Sequence, residues 1–341
     1  MNNQSIVKNT TASLIWIFLL TLVFWLPEQT HAKSALQQQQ ESEFPDYSFS
    51  AFFKNTLTQD NYGDDPLGFD IWVARAGVNA RLSDRITANF TGGLVEPPDD
   101  NPQLVNAFFH YRVQEQFQLR AGQFLLPFGL EGQEPIFLTP TINRSNLVRR
   151  TNTFRMFRDL AVQASGEFDQ LNYAVALANG TGANIAEQID PKDVIGRIGI
   201  QPVQDFEIGL SGHLGRYQPA GVDEDFQRVR AGLDLSYESN PYVFRAEYIY
   251  RSDDQPQGEL QQHGAYILGA YRFLENWQAV SRIEAFNPDT STDNNYLTST
   301  SAAINYYFVG PTRFSLNYEY LNDRQADRSG GILTAEIQVR L

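Results

Sequence analysis

A chain of 341 residues with a formal charge of −14 and no cysteine has room for one large β domain or two ordinary ones. It has no disulfide to hold it and is a poor electrostatic match for nucleic acid. Beyond residue 32 no apolar run approaches the roughly 18 residues of a transmembrane helix, and the basic residues are 22 arginines against four lysines.

At the N-terminus, Lys8 precedes the apolar stretch "ASLIWIFLLTLVFWL" (12–26), followed by Thr30-His31-Ala32. A basic start, a short apolar segment and small residues before a cleavage point predict a signal peptide over 1–32 and export of the rest. Residues 33–45, with the run "LQQQQESEF", are expected to be a flexible polar lead-in. From 46 to 341 apolar and polar residues alternate at every second position, the period of a strand. Strands are expected at 46–56, 67–82, 85–95, 104–113, 117–127, 159–168, 171–179 and 193–202. The second half continues at 205–216, 227–237, 241–251, 262–273, 276–286, 296–308, 312–321 and 331–341, and no segment carries a helical apolar stripe.

The connections alternate in length. Ser83-Asp84, Asp169-Gln170, Val203-Gln204, Ser239-Asn240 and Gly310-Pro311 are tight, whereas "LTQDNYGDDP", "EPPDDNPQ", "QPAGVDEDF", "SDDQPQGEL" and "NPDTSTDNN" are longer and acidic. Short turns at one end and long loops at the other predict an all-β transmembrane antiparallel β-barrel of sixteen strands in the outer membrane of a Gram-negative cell. The faces agree. Phe314, Leu316, Tyr318 and Tyr320 share one phase, and Arg313, Ser315, Asn317 and Glu319 share the other. In the second strand Trp72, Ala74, Ala76, Val78 and Ala80 are assigned outward, opposite Arg75, Asn79 and Arg81. Tyr237, Tyr242, Trp277, Tyr306 and Phe308 lie near turns, where an interfacial girdle belongs.

The third long loop, 129–159, is the longest, and a loop of that length is expected to fold into the lumen and narrow it. It carries Arg144, Arg149, Arg150, Arg155 and Arg158. Lumen-phase arginines add Arg75, Arg112, Arg120, Arg228, Arg230 and Arg245, against fewer acids such as Asp234, Glu247, Glu284, Glu319 and Glu336. Arginines lining a pore favour anions. These eleven are the candidate pore and anion-binding residues; each could instead pair with a wall acid and merely brace the barrel.

The segments "RAGQFLLPFGLEG" (120–132) and "FRDLAVQASGEFDQLNYAVALANGTGAN" (157–184) resemble the phosphate-selective porin O/P family. The matching positions are Gly122, Gln123, Phe124, Pro127, Phe128 and Glu131; Arg158, Asp159 and Gly166; Tyr173, Asn179 and Gly180. The resemblance implies a homotrimeric outer-membrane porin of sixteen strands, anion-selective in its best-known members. Two departures stand out. Family members use lumenal lysines too, but only Lys33, Lys54 and Lys192 follow the signal, and the chain ends in Leu341 where barrels usually end in Phe or Trp.

Catalysis has little support. His110, His213 and His263 fall on separate strands with no His-x-x-x-His pair or thiol, and no Gly-x-Ser-x-Gly elbow is present. "GTGAN" (180–184) lacks the Lys-Ser/Thr of a phosphate loop. The expected function is a passive channel for small polar solutes with a preference for anions, phosphate among them, set by lumenal and third-loop arginines, with small anions and membrane lipid as partners and no cofactor. The alternatives are a non-selective or cation-tolerant porin, or a non-conducting structural or adhesive barrel.

Overall fold

The computed structural model describes residues 44–97, 101–187, 189–219 and 221–341. The expected signal peptide and the lead-in up to residue 43 lie outside the described residues. The first half of the sheet is β1 (Asp46–Asp60), β2 (Asp65–Arg81), β3 (Ile86–Val95), β4 (Gln103–Gln114), β5 (Phe117–Leu125), β6 (Arg158–Phe168), β7 (Leu171–Ala178) and β8 (Asp193–Val203). The second is β9 (Phe206–Tyr217), β10 (Phe226–Ser239), β11 (Tyr242–Gln255), β12 (Gly258–Leu274), β13 (Trp277–Asn287), β14 (Leu297–Val309), β15 (Thr312–Asp323) and β16 (Arg328–Arg340). Each strand pairs antiparallel with its sequence neighbours, and β1 pairs with β16, from Phe52 opposite Arg340 to Asp60 opposite Ile332. The barrel is closed, so no strand edge is left for lipid to face.

Solvent exposure follows the alternation but inverts its usual meaning. Along β15, Phe314, Leu316, Tyr318 and Tyr320 are exposed, while Arg313, Ser315, Asn317 and Glu319 are buried. Large apolar side chains thus form the outside and charges the inside, as hydrocarbon outside and water inside require. Near the short turns the outer aromatics touch one another. Tyr242 stacks on Tyr271 at 5.2 Å and Trp277 meets Tyr306 at 4.9 Å, which suits rings at a membrane interface.

Three details depart from the sequence reading. Trp72 faces the lumen, not lipid. Lys54 pairs with Val73 and Asn55 with Ile71, so Trp72 is an extra residue in a β-bulge that reverses the phase beyond it. Several expected long loops are instead strand extensions: β11 and β12 continue to Gln255 and Gly258, enclosing only a tight turn. There the acidic residues sit on strands, where the apolar phase is no longer demanded. Finally, the third loop contains a short helix, α1 (Asn146–Thr151), started by the Ser145 side chain accepting from the Val148 amide. Six residues are too few to print a helical stripe on a sequence.

Gly122 shows how tightly β4 and β5 meet. Its φ is +126°, and a Cβ there would lie 2.1 Å from the Ala107 carbonyl oxygen. We expect Gly122→Ala to destabilise the barrel by about 1–3 kcal/mol from backbone strain alone, seen as a lower temperature for loss of the compact, heat-modifiable band on a gel.

Candidate functional site

The third loop leaves β5 after Leu125, enters the lumen and returns at Arg158. Its docking is dominated by wall side chains that bind its backbone. Glu247 of β11 accepts from the amides of Leu130 (3.0 Å) and Glu131 (3.4 Å). Glu284 of β13 accepts from the Asn146 amide at 2.9 Å and from its side chain, which also reaches Glu319 of β15 at 3.0 Å. Arg313 donates to the carbonyls of Thr139 (2.7 Å) and Thr141 (3.1 Å), and Arg282 to that of Asn143 (3.0 Å). Lys54 donates to the Ile142 carbonyl at 2.6 Å while paired with Glu336 at 2.7 Å. Within the loop, Glu131 accepts from the Ser145 amide at 2.8 Å. Apolar contacts complete the docking: Leu147 and Val148 of α1 are buried with Ile249, Tyr266, Leu268 and Phe286.

The loop therefore leans on the wall from β9 round to β16 and leaves space beside β1–β5. Three adjoining cavities lie there. The first, about 380 Å³, is bordered by Thr56, Asp60, Asp65, Asp70, Trp72 and Arg149. The second, about 400 Å³, shares Trp72, Asn143 and Arg149 with it and adds Arg75, Arg144, Arg155 and Arg158. The third, about 180 Å³, shares Arg75 and Arg158 with the second and continues past Asn79, Asn89 and Arg340. The middle cavity gathers five of the eleven candidate arginines and is the candidate constriction.

Its arginines have unequal company. Arg75 is spoken for by a two-point pair with Glu96, its Nε at 2.6 Å. Arg158 donates to the Asn106 side chain at 2.9 Å and the Met156 carbonyl at 2.8 Å. Arg144 donates to the carbonyls of Glu131 (2.9 Å) and Glu134 and lies 4.4 Å from the Phe157 ring. Arg149 donates to the Asn146 side chain at 2.6 Å and is otherwise exposed to the lumen. Burial lowers the pKa of Arg144, with Glu131 and Glu134 opposing, but a guanidinium stays charged in proteins. Neutral acceptors thus orient three cations, and nearby carboxylates act on them only through space. The backbone beside them is strained: Met156 and Phe157 are both left-handed, with φ of 58° and 60°, costing about 1–3 kcal/mol each and aiming both side chains at the cavity.

The other candidates are placed elsewhere. Arg228 is buried against Asp193 at 2.7 Å, and Arg230 donates to His213 (2.8 Å) and to the loop carbonyl of Thr151 (3.3 Å). Arg245 joins Glu134 of the loop at 2.8 Å. Arg112 donates to the Asp84 carbonyl at 2.9 Å near a short turn. Arg120 lies over the rings of Phe108 and Phe124 at 5.0 and 5.3 Å and borders a further cavity with Gln118, Asn172 and Arg197. Arg150 is exposed beyond Arg149 and lines none of the three cavities. The sequence reading missed Trp72, Glu96, Asn106, Asn143 and Asn146. Neutral or loop residues carry no signal at that level, and the bulge hid Trp72.

Residues 64–199 match the family model described as phosphate-selective porin O and P. Over this stretch, about two fifths of its length, the chain is similar to that family. The stretch spans β2 to β8 and contains the whole third loop. Among solved structures the chain is similar to OmpT, an outer membrane protein of Vibrio cholerae, in its loop L8 deletion mutant, with a TM-score of 0.69, 12% identity, and 87% of this chain and 100% of that one covered. An in-vitro folded trimer form of OmpT gives 0.68 and 11%, covering 88% and 100%. An anion-selective porin from Comamonas acidovorans gives 0.68 and 11%, covering 87% and 99%. At these identities the likeness is one of fold. No match was found among curated proteins. The fold is that of outer-membrane β-barrel channels, and the match over 64–199 points to a channel rather than an enzyme.

Proposed function

We propose that this porin passes small anions, phosphate among them, by diffusion past the constriction, and that Arg144, Arg149 and Arg158 set the preference. One observation carries the reading: these three guanidiniums border a single cavity and are held by neutral acceptors, while Glu247, Glu284 and Glu319 bind the backbone of the loop. No carboxylate forms a direct ion pair with Arg144, Arg149 or Arg158 among the described residues, although the charges of Glu284 and Glu319 still reach Arg149 through space. Arg75 and Arg155 complete the ring, and Arg112 and Arg120 continue the positive lining towards the periplasmic turns. Arg228, Arg230 and Arg245 act through the loop they hold, and Arg150 lies outside the constriction.

The Asp60, Asp65 and Asp70 carboxylates border the outer cavity, but at physiological salt their field fades beyond about 8 Å. Arg149 shares that cavity with them, so the cationic excess belongs to the middle cavity, which adds Arg75, Arg144, Arg155 and Arg158. The OmpT trimer form supports assembly of this porin as a homotrimer, and the segment 1–32 supports export through the periplasm. The test is the reversal potential of the purified protein in a planar bilayer under a KCl gradient. Chloride selectivity is expected. Equal or cation-favouring permeability would overturn the anion reading, and an inserted but silent barrel would favour a structural role.

A further inference from the structure

The constriction is as apolar as it is cationic. Trp72, Val73, Ile136, Met156 and Phe157 line it alongside the arginines. This is not what a small, strongly hydrated anion needs, because apolar walls return nothing for the water such an ion gives up. The one lysine in the described strands gives no help: Lys54 is fully buried, paired with Glu336, and lies under the Trp72 ring at 4.3 Å from its centre. Lys54 occupies one face of the indole, and Trp72 still borders both the outer cavity and the constriction. Arg149 borders the same two spaces. A solute moving inward therefore meets a flat apolar ring and a forked cation together, then Met156 and Phe157 beside Arg158 and Arg144.

Resting on the anion reading, we infer that the constriction is a binding site for carboxylates carrying an aromatic ring, in preference to inorganic phosphate or short aliphatic acids. The carboxylate takes two-point hydrogen bonds from a guanidinium, whose planar fork matches it. The ring lies against Trp72 and the Met156–Phe157 corner, where ring and thioether contacts are favourable. The strained backbone at that corner serves to present these two side chains. A cavity of about 400 Å³ is within the size range of small-molecule sites, and far larger than a phosphate requires.

The probe is benzoate, compared with acetate and inorganic phosphate as blockers of chloride current through single channels at neutral pH. Benzoate is expected to block about tenfold more tightly than acetate, the upper range for one ring contact, and more tightly than phosphate. Trp72→Leu, which keeps apolar bulk but removes the ring, should bring benzoate down towards acetate. Arg158→Gln should weaken both acids together. Benzoate no tighter than acetate, phosphate the tightest of the three, or a benzoate advantage untouched by Trp72→Leu would each overturn the inference. Chloride selectivity measured on the same channels separates the two readings: if it is absent, the anion reading itself has failed, and if it is present without a benzoate advantage, only the ring site has.

Discussion

Replacing Arg149 and Arg158 together by glutamine lowers the ratio of chloride to potassium permeability by about tenfold or more. The size follows from Coulomb's law. A unit charge about 4 Å from a passing ion is worth roughly 1 kcal/mol even in bulk water. Removing it costs the anion that attraction and relieves the cation of the same repulsion, so the ratio moves by roughly twice the amount, or more than one decade. Screening by salt reduces the figure least here, because both guanidiniums border a confined space rather than open solution. Glutamine keeps donors for Asn146 and Asn106, so the loop has reason to stay in place. Arg150→Gln, one residue along and outside the constriction lining, should move the ratio much less. Reversal potentials under a KCl gradient read all three proteins. An unchanged ratio in the double variant would remove these arginines from the account of selectivity.

The strands were legible in the sequence because lipid and water enforce opposite chemistries at every second residue. Phe314 to Tyr320 and Leu333 to Leu341 could be assigned from alternation alone, and closure of the barrel follows from the lack of any tolerable edge in hydrocarbon. Alternation cannot show a residue inserted out of step. Trp72 looked like the first of the outward set that runs on to Ala80, but the bulge between Val73 and Ile71 turns it into the lumen. The candidate site was legible only as an inventory. Glu247, Glu284 and Glu319 were counted as possible partners for arginines, since nothing local says that they accept from loop amides 116 or more residues away.

The family motifs become intelligible at the same place. Gln123 bonds the Leu104 carbonyl at 2.6 Å and accepts from the Asn184 amide at 3.0 Å, Glu131 fixes Ser145 ahead of α1, and Asp159 accepts from the Gly180 amide at 2.5 Å. Tyr173 reaches the Gln116 carbonyl at 3.0 Å beside Gly166, where a Cβ would meet that same oxygen at 2.0 Å. Most of these residues brace the strands at which the third loop departs and returns. The resemblance therefore marks mainly the frame that positions the loop; of the cavity lining it includes Phe157 and Arg158, whereas Trp72, Arg149 and Met156 lie outside the motif.

The second large effect concerns that frame. Asn146→Asp, an almost isosteric change, should release the third loop more fully than Asn146→Ala. Asn146 is buried, its amide and side chain both bind Glu284, its side chain nitrogen also binds Glu319, and its side chain oxygen accepts from Arg149. Alanine removes the side chain donors but keeps the backbone bond, leaving buried acceptors short of partners at about 1–3 kcal/mol. Aspartate loses the nitrogen donor and sets a third carboxylate against two that are already buried; with Arg149 offsetting part of that charge, the cost is expected at the low end of the roughly 3–5 kcal/mol of a broken buried pair. That is enough to move a docked loop by more than two decades in population, since each decade is about 1.4 kcal/mol. The barrel has its own strand pairing and should remain inserted. The expected signature is a larger, noisier conductance, greater for aspartate than alanine, with trypsin now cutting after Arg149 or Arg150. Acidification should reverse the aspartate phenotype, because protonating one of the three carboxylates removes the repulsion and restores a donor; the defect grows as pH rises. Quiet channels of ordinary conductance in the aspartate variant would show that the loop is held by Leu147, Arg313 and the remaining contacts without need of Asn146.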